Sequence, residues 1–510
     1  MARKVQTFGP SGVILDEVPA AVPADAYTQC QNFRVEGAGM KLCNGMVPHH
    51  AMGVMPKFGM LAPQGSIGYA LFMGSAGVSV SDGGSQLVLD TPAGWSDFTA
   101  GTMSGAMLGG IAAFNYRGDP PWYWDGTTVP GCVKPLPGWI AGKQARVIGA
   151  FGQHLFAGSL YGATDEDEIV AWSDAAPNGL VPASWTPTAT NQAGQLALSV
   201  GAGPVQALKS LGNQLLVYRS SGIFSMTYAG LPYVYTAQLV SEGAGASSMN
   251  CVLGVKGTHV VITQGDIVQT DGTSVRSIGE GRLKDWLFSQ MSRTGLTLAH
   301  GYVNTQRSEA VFNVALGRDD ACNFAVVWNF ERDKWSVREL PELTHAFMGL
   351  LPNTPALLWD TDAGTWNADQ GWWDEGRAGG FALRPFGCSP TQGAQVLDTG
   401  DKRWTGENLV GTIERTGLRI GDGDAIAKVQ RLIPAIEGSP GAVVEIQVGA
   451  QLAANGPISW GSAQQFILGQ SSKVDCNARG RFIAVRFKCA GPEQPTVAGF
   501  SIEYDDGGRQ

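Results

Sequence analysis

Val327-Trp328-Asn329-Phe330-Glu331-Arg332-Asp333-Lys334-Trp335 is followed by Leu358-Trp359-Asp360-Thr361-Asp362-Ala363-Gly364-Thr365-Trp366, the same phrase in different words. In each copy an apolar run ends on a tryptophan and then Asn or Asp, a polar turn follows, and a second tryptophan arrives seven positions after the first. Two strands joined by a tight turn need this layout, with β-favouring residues on the arms and turn formers between them. A tryptophan at the same point of successive hairpins points to one supersecondary unit used repeatedly, its indoles filling equivalent gaps between stacked sheets.

Upstream of that stretch the chain repeats the unit. Val54 to Leu61, Gly68 to Met73, Val78 to Val80 and Leu87 to Leu89 are four short apolar strands with Asp82-Gly83 as a turn. A second round runs from Met103 to Trp124 and turns at Asp125-Gly126; a third runs from Val147 to Trp172. Trp95, Trp139 and Trp185 close these rounds at spacings of 44 and 46 residues. Further units follow over Val205 to Leu239, Cys251 to Ile278 (with Asp271-Gly272) and Leu298 to Leu340, and a partial seventh starts at Phe347 and runs into the 370s. Four strands in 40 to 50 residues is the period of a β-propeller blade, and radial stacking buries both faces of each sheet. Leu283, Trp286, Leu287 and Met291 predict one short helix, with Gly295 as its stop.

After Pro385 the alternation lengthens, over Leu409 to Ile413, Val429 to Ile436, Val443 to Val448, Phe482 to Phe487 and Val497 to Tyr504. This reads as an antiparallel sandwich. Residues 1–51 do not form a unit of their own; the hairpin Phe33 to Leu42, turning at Glu36-Gly37-Ala38-Gly39, is expected to complete the sandwich. The expected organisation is therefore all-β: an arm over 1–51, a propeller of six or seven blades over 52–385, and a sandwich over 386–510.

Composition agrees. Glycine supplies 70 of 510 residues and charged residues only 15%, which suits many short strands and tight turns. The net charge of −9 argues against tight nucleic-acid binding, which needs a concentrated basic face. Eight scattered cysteines with no C-x-x-C spacing read as free thiols made in a reducing cytoplasm. The opening residues lack the apolar run of a signal peptide, and no stretch reaches the ~20 apolar residues of a membrane span.

Candidate chemistry is sparse. Asp362 to Trp366 is one residue short of the Asp-box turn of sialidase-type propellers, a hairpin lock rather than a catalytic element. Asp165-Glu166-Asp167-Glu168 offers oxygens for a hard cation, but four consecutive carboxylates lack the spaced pattern of a calcium loop and read as a solvated loop. His49 and His50 are adjacent, so on a strand they face opposite ways. Nucleophile-elbow, zincin, Walker and dinucleotide motifs are missing from the sequence, so no catalytic, cofactor or metal residues are assigned. Trp122, Tyr123, Trp372 and Trp373 could serve as sugar platforms, which keeps a glycan-binding or glycan-cleaving propeller as the alternative; blade packing is the plainer role for them. A generic scaffold propeller is the third.

The ends of the chain carry a resemblance. Gly12 to Pro19, Pro23 to Tyr27 and Asn32-Phe33-Arg34, the phrase Val327 to Pro341, and the closing stretches Gly480 to Phe487 and Gly499 to Tyr504 resemble tail nozzle (tail tubular protein B-like, or tail hub) proteins of short-tailed bacteriophages. That resemblance implies a virion protein assembled in the bacterial cytoplasm as a homohexameric ring. The ring would dock on an adaptor or connector and be surrounded by fibres or spikes. Its channel would retain genomic double-stranded DNA and then conduct it during ejection, with no membrane insertion by this chain. An acidic, charge-poor chain would suit such a conduit by repelling phosphate. Asp165, Glu166, Asp167 and Glu168 are the candidate channel-gate residues.

Overall fold

A computed structural model of the chain describes residues 4–8, 12–49, 54–64, 67–83, 86–90, 95, 97–99, 101–128, 132–352, 381–420 and 425–506. The second copy of the tryptophan phrase, Trp372, Trp373 and His50 lie outside the described residues.

The first copy folds as its residues dictate. Cys322–Asn329 and Lys334–Leu343 pair antiparallel with Trp328 opposite Trp335, and the two indoles stack at 6.2 Å. Between them Asn329 Oδ1 accepts from the Arg332 amide at 3.0 Å, and Asp333 takes the left-handed conformation (φ 51°) that Asp tolerates in turns. The Trp328 indole N–H closes the turn by donating to Asp333 Oδ1 at 2.9 Å.

Among the described residues the repeat is a propeller of seven blades. Its inner strands are Pro56–Gln64, Met103–Leu108, Gln144–Phe151, Val205–Leu211, Val252–Val255, His300–Asn304 and His345–Pro352. Each packs against the next, and the seventh packs against the first. Three further strands extend each blade outward in antiparallel order. Trp124 and Trp172 end the third strands of blades 2 and 3, and Trp328 is the last residue but one of the third strand of blade 6; the first two indoles donate into the connection that follows, to Thr127 O at 2.7 Å and Gln192 O at 2.8 Å. These are the equivalent tryptophans. Trp95 and Trp139 stand in the links from one blade to the next, but Trp185 lies in the long third-to-fourth connection of blade 3, edge-on to Trp139 at 4.7 Å. The spacings of 44 and 46 residues thus had the right size but mixed two kinds of position.

Two boundaries differ from expectation. Blade 7 consists of His345–Pro352, Phe381–Ser389, Gly393–Leu397 and, outermost, Met46–Pro48. The propeller therefore extends to Leu397, and the expected boundary after residue 385 falls inside a strand. Phe386 and Cys388 are buried on that strand, so its sequence does not distinguish a blade from a sandwich. The segment 1–51 serves both domains, because Met46–Pro48 closes the propeller ring. A strand taken from ahead of blade 1 pins the last blade to the first and removes an open edge.

The sandwich has two sheets. One runs Phe33–Glu36, Gly39–Leu42, Thr496–Asp506, Ala427–Glu437, Val474–Gly480, with Lys4–Phe8 also on Thr496–Asp506. The other is built on Val410–Arg419, Phe482–Ala490 and Val443–Gln451. Phe487 and Phe500 meet between them at 5.6 Å. Gln29–Gln31 pairs with Val410–Arg419 on one side and, through Gln31 and Val337, with the outer strand of blade 6 on the other, so propeller and sandwich share one ten-stranded sheet. One hydrophobic core runs from Leu216 and Tyr218 of blade 4 through blade 5 and Phe312 and Trp328 of blade 6 to Ile413 and Phe487.

Between blades 5 and 6 the predicted helix is two helices, Lys284–Gln290 and Arg293–Leu298. Gly295 lies in the first turn of the second rather than stopping the first: its amide donates to Ser292 Oγ at 2.9 Å, an N-cap absent from the sequence reading.

Candidate functional site

Glu166, Asp167 and Glu168 open the third strand of blade 3, and Asp165 is the exposed residue before it. Each is engaged locally. Asp165 lies 3.6 Å from Arg117 of blade 2, and Glu166 is 2.8 Å from Lys143. Asp167 accepts from the Tyr161 hydroxyl at 3.1 Å, and the Glu168 carbonyl accepts from the Leu198 amide at 2.9 Å. Three of the four stand at consecutive strand positions, whose side chains alternate between faces, so the carboxylates do not converge on one point. They form a rim where blades 2 and 3 meet.

The propeller's own channel has the opposite character. None of the seven inner strands carries an aspartate or glutamate, whereas Lys57, Arg146 and Lys209 stand on them. Lys57 is tied to Asp97 at 2.6 Å and Arg146 to Gln206 at 3.0 Å. Burial pushes the Lys209 ammonium down. The carboxylates of the chain therefore do not stand on these inner strands; the expectation from net charge concerned the channel of a ring of subunits, a different passage. A cavity of about 580 Å³ opens where the inner strands of blades 2, 3 and 4 end, beside Leu108, Phe151 and Asn213.

At the opposite end of the inner strands an aromatic seam closes the ring. The rings of His300 (blade 6) and His345 (blade 7) lie 5.2 Å apart, and Phe58 of blade 1 packs against His345 at 4.3 Å with the rings tilted by 32°. Burial holds His300 down at about 4 and His345 well below its ordinary value, so both are neutral imidazoles at pH 7. Among the described residues no group of three or more His, Cys, Asp or Glu could hold a metal ion. His49 donates to or accepts from Ser81 at 3.0 Å and packs edge-on to Phe386. Trp122 is buried in the blade 1–2 core and is no sugar platform, while Tyr123 is half-buried. All eight thiols are free.

The most concentrated polar chemistry lies where arm, propeller and sandwich meet. Arg34 on the sandwich hairpin makes a two-pronged pair with Asp398, at 3.0 Å on one prong, and Asp398 also binds Arg307 of blade 6 at 3.1 Å. Arg338 reaches Glu309 at 2.5 Å across blade 6. Arg307 continues to Glu36 at 3.4 Å, and Lys41 to Glu36 at 2.9 Å. Arg34 and Glu309 are each only 2% exposed. Burial alone would raise the Asp398 carboxyl, but the guanidinium groups of Arg34, Arg338 and Arg307 bring it below its ordinary value. Sequence reasoning missed this network. Its signal was partial: Glu309 opens a strand that is otherwise mostly apolar, and a buried charge needs a partner, but Arg338 stands on a strand that also carries Lys334, Glu339 and Glu342 and so does not stand out.

No family model matches the chain, and no curated protein matches it. Among solved structures, the chain resembles the Cps50 (Swd1) β-propeller domain of Myceliophteria thermophila at 10% identity, over 60% of this chain and 92% of that one, with a TM-score of 0.37. It resembles BBS1N, solved in complex with ARL6DN, at 10% identity over 72% and 100%, TM-score 0.39. An exo-β-1,3-galactanase of Phanerochaete chrysosporium aligns at 10% identity over 91% and 100%, TM-score 0.29. Likeness at this level transfers no activity. The chain is an all-β propeller-and-sandwich protein, and its strand pairing is what defines it so.

Proposed function

We propose that this chain is a structural subunit of a phage tail nozzle, a hexameric ring that holds genomic DNA and conducts it during ejection. Beyond the sequence resemblance, one observation supports this: residues 12–48 stitch propeller to sandwich. Asn32 donates to Val410 O at 2.7 Å and accepts from the Glu339 amide at 2.9 Å, bridging the two domains with one side chain. The shared sheet and the ion network around Arg34 and Asp398 make the same joint. Such a joint suits a subunit that must keep its shape under load. In this reading the adaptor and fibres bind the outer surfaces, and the rim Asp165 to Glu168 faces the cargo as a gate.

The test is the oligomeric state of the purified full-length chain, by mass photometry and negative-stain imaging, with and without the neighbouring adaptor. Rings are expected. A chain that stays monomeric throughout, and binds a glycan on an array, would replace this reading with the carbohydrate-binding one.

A further inference from the structure

Blade 4 has an outer hairpin unlike those of its neighbours. Its strands, Gly222–Gly230 and Val234–Glu242, are nine residues each, and from Gly222 to Ser241 there is no charged residue. At the tip Tyr228, Leu231 and Tyr233 are 55%, 68% and 75% exposed. Tyr228 is braced edge-on against Tyr235 at 5.6 Å. The corresponding turns of blades 2, 5 and 6 are polar: Asp125-Gly126, Asp271-Gly272 and Glu331-Arg332-Asp333. An exposed aromatic and aliphatic cluster at a hairpin tip is the composition of a binding anchor.

The same molecule carries a receptacle of matching chemistry. A cavity of about 390 Å³ between blades 2 and 3 is lined by Pro120, Pro135, Trp139, Ile140, Ala141 and Lys143 among others. Trp139 is held in place by its N–H bond to Lys143 O at 2.7 Å and by Trp185. The knob projects from the rim where third strands turn into fourth strands. The cavity opens on the other rim, where one blade leads to the next.

We infer that the blade 4 tip of one copy seats Leu231 and Tyr233 in the Pro120–Trp139–Ile140 cavity of the next. This rests on the ring reading and names its contact. Knob and cavity lie on different rims, so the contact is heterologous and propagates head to tail rather than closing as a two-fold dimer. A second copy fits better than a lipid surface, because the hairpin offers no lysine or arginine to a phosphate headgroup.

The experiment uses the full-length chain. A knob variant (Leu231→Asp with Tyr233→Asp) and a cavity variant (Ala141→Arg, an exposed lining position) are each expected to raise the concentration for half-assembly by about tenfold or more. Mixed one to one, the two variants retain one intact knob and one intact cavity between them, and should form a heterodimer and stop there. If wild type forms rings and either variant alone assembles as well as it does, the contact is wrong while the ring reading stands. A wild-type chain that never assembles overturns both. Knob-dependent flotation of the wild type with phosphatidylcholine–phosphatidylglycerol vesicles would make the tip a lipid wedge and overturn the inference.

Discussion

Blades 6 and 4 are built to one four-strand plan and put their outer halves to opposite uses. The outer strand of blade 6, Lys334–Leu343, has its edge covered by Gln29–Gln31 and carries Arg338 into a buried ion network. The outer strand of blade 4, Val234–Glu242, pairs on one side only among the described strands, and its hairpin ends in exposed tyrosines. Charge is buried where the molecule is joined to itself, and apolar surface is exposed where it is not. A repeat architecture permits this because each blade's inner strands make the fold while its outer strand is free to specialise.

That contrast breaks most severely at the joint. Glu309→Ala would leave Arg338 buried without its partner and deprive Arg34 of a neighbouring carboxylate. It is expected to cost about 3–5 kcal/mol in denaturant unfolding. The same substitution on an exposed carboxylate such as Glu331 should move the midpoint little, and equal effects at the two sites would mean the network contributes nothing special.

Acid should weaken the seam next. The folded values of His300 (about 4) and His345 lie below 6.5, so the unfolded chain binds more protons and stability falls as pH drops from 6.5 toward 4. Asp398, also depressed, contributes stability above 3.8 that is lost as pH falls through its lower folded value. A pH series of unfolding midpoints checks this: His300→Gln should flatten the slope between 6.5 and 4 relative to wild type, and an unchanged slope would refute it.

A smaller effect separates fold-defining tryptophans from the rest. Trp328→Phe keeps the ring in the core but loses the bond to Asp333, for an expected cost of about 1–2 kcal/mol by equilibrium unfolding. This residue also shows how much could be read in advance. The phrase around Trp328, and the Asp-Gly turns at Asp125 and Asp271, revealed the hairpins because turn chemistry is local. Asp271 accepts from the amides of Thr273 and Ser274 at 2.9 and 2.8 Å, a contact within four residues. The closing strand Met46–Pro48 was not readable: it pairs with Gln395 to Leu397, some 350 positions away, and its three residues have no pattern of their own. The joint failed for the same reason, since Arg34 and Asp398 are 364 positions apart. Asp165 to Glu168 form a charge run, which identifies a solvated stretch but says nothing of what faces it.

The smallest expected change in stability is at blade 4. Leu231→Asp with Tyr233→Asp places two charges on a tip already in water, removes no contact within the subunit core, and should shift the unfolding midpoint of the isolated subunit by no more than about 0.5 kcal/mol. Natural selection on a subunit that acted alone would have little reason to keep two tyrosines and a leucine there, because exposed apolar surface invites association without adding to folding. A neutral result for folding combined with a large one for assembly would separate the two blades cleanly, blade 6 holding the subunit together and blade 4 holding its neighbour. A destabilisation as large as that of Glu309→Ala would instead mean that the tip packs within its own chain, and the contrast between the blades would fail.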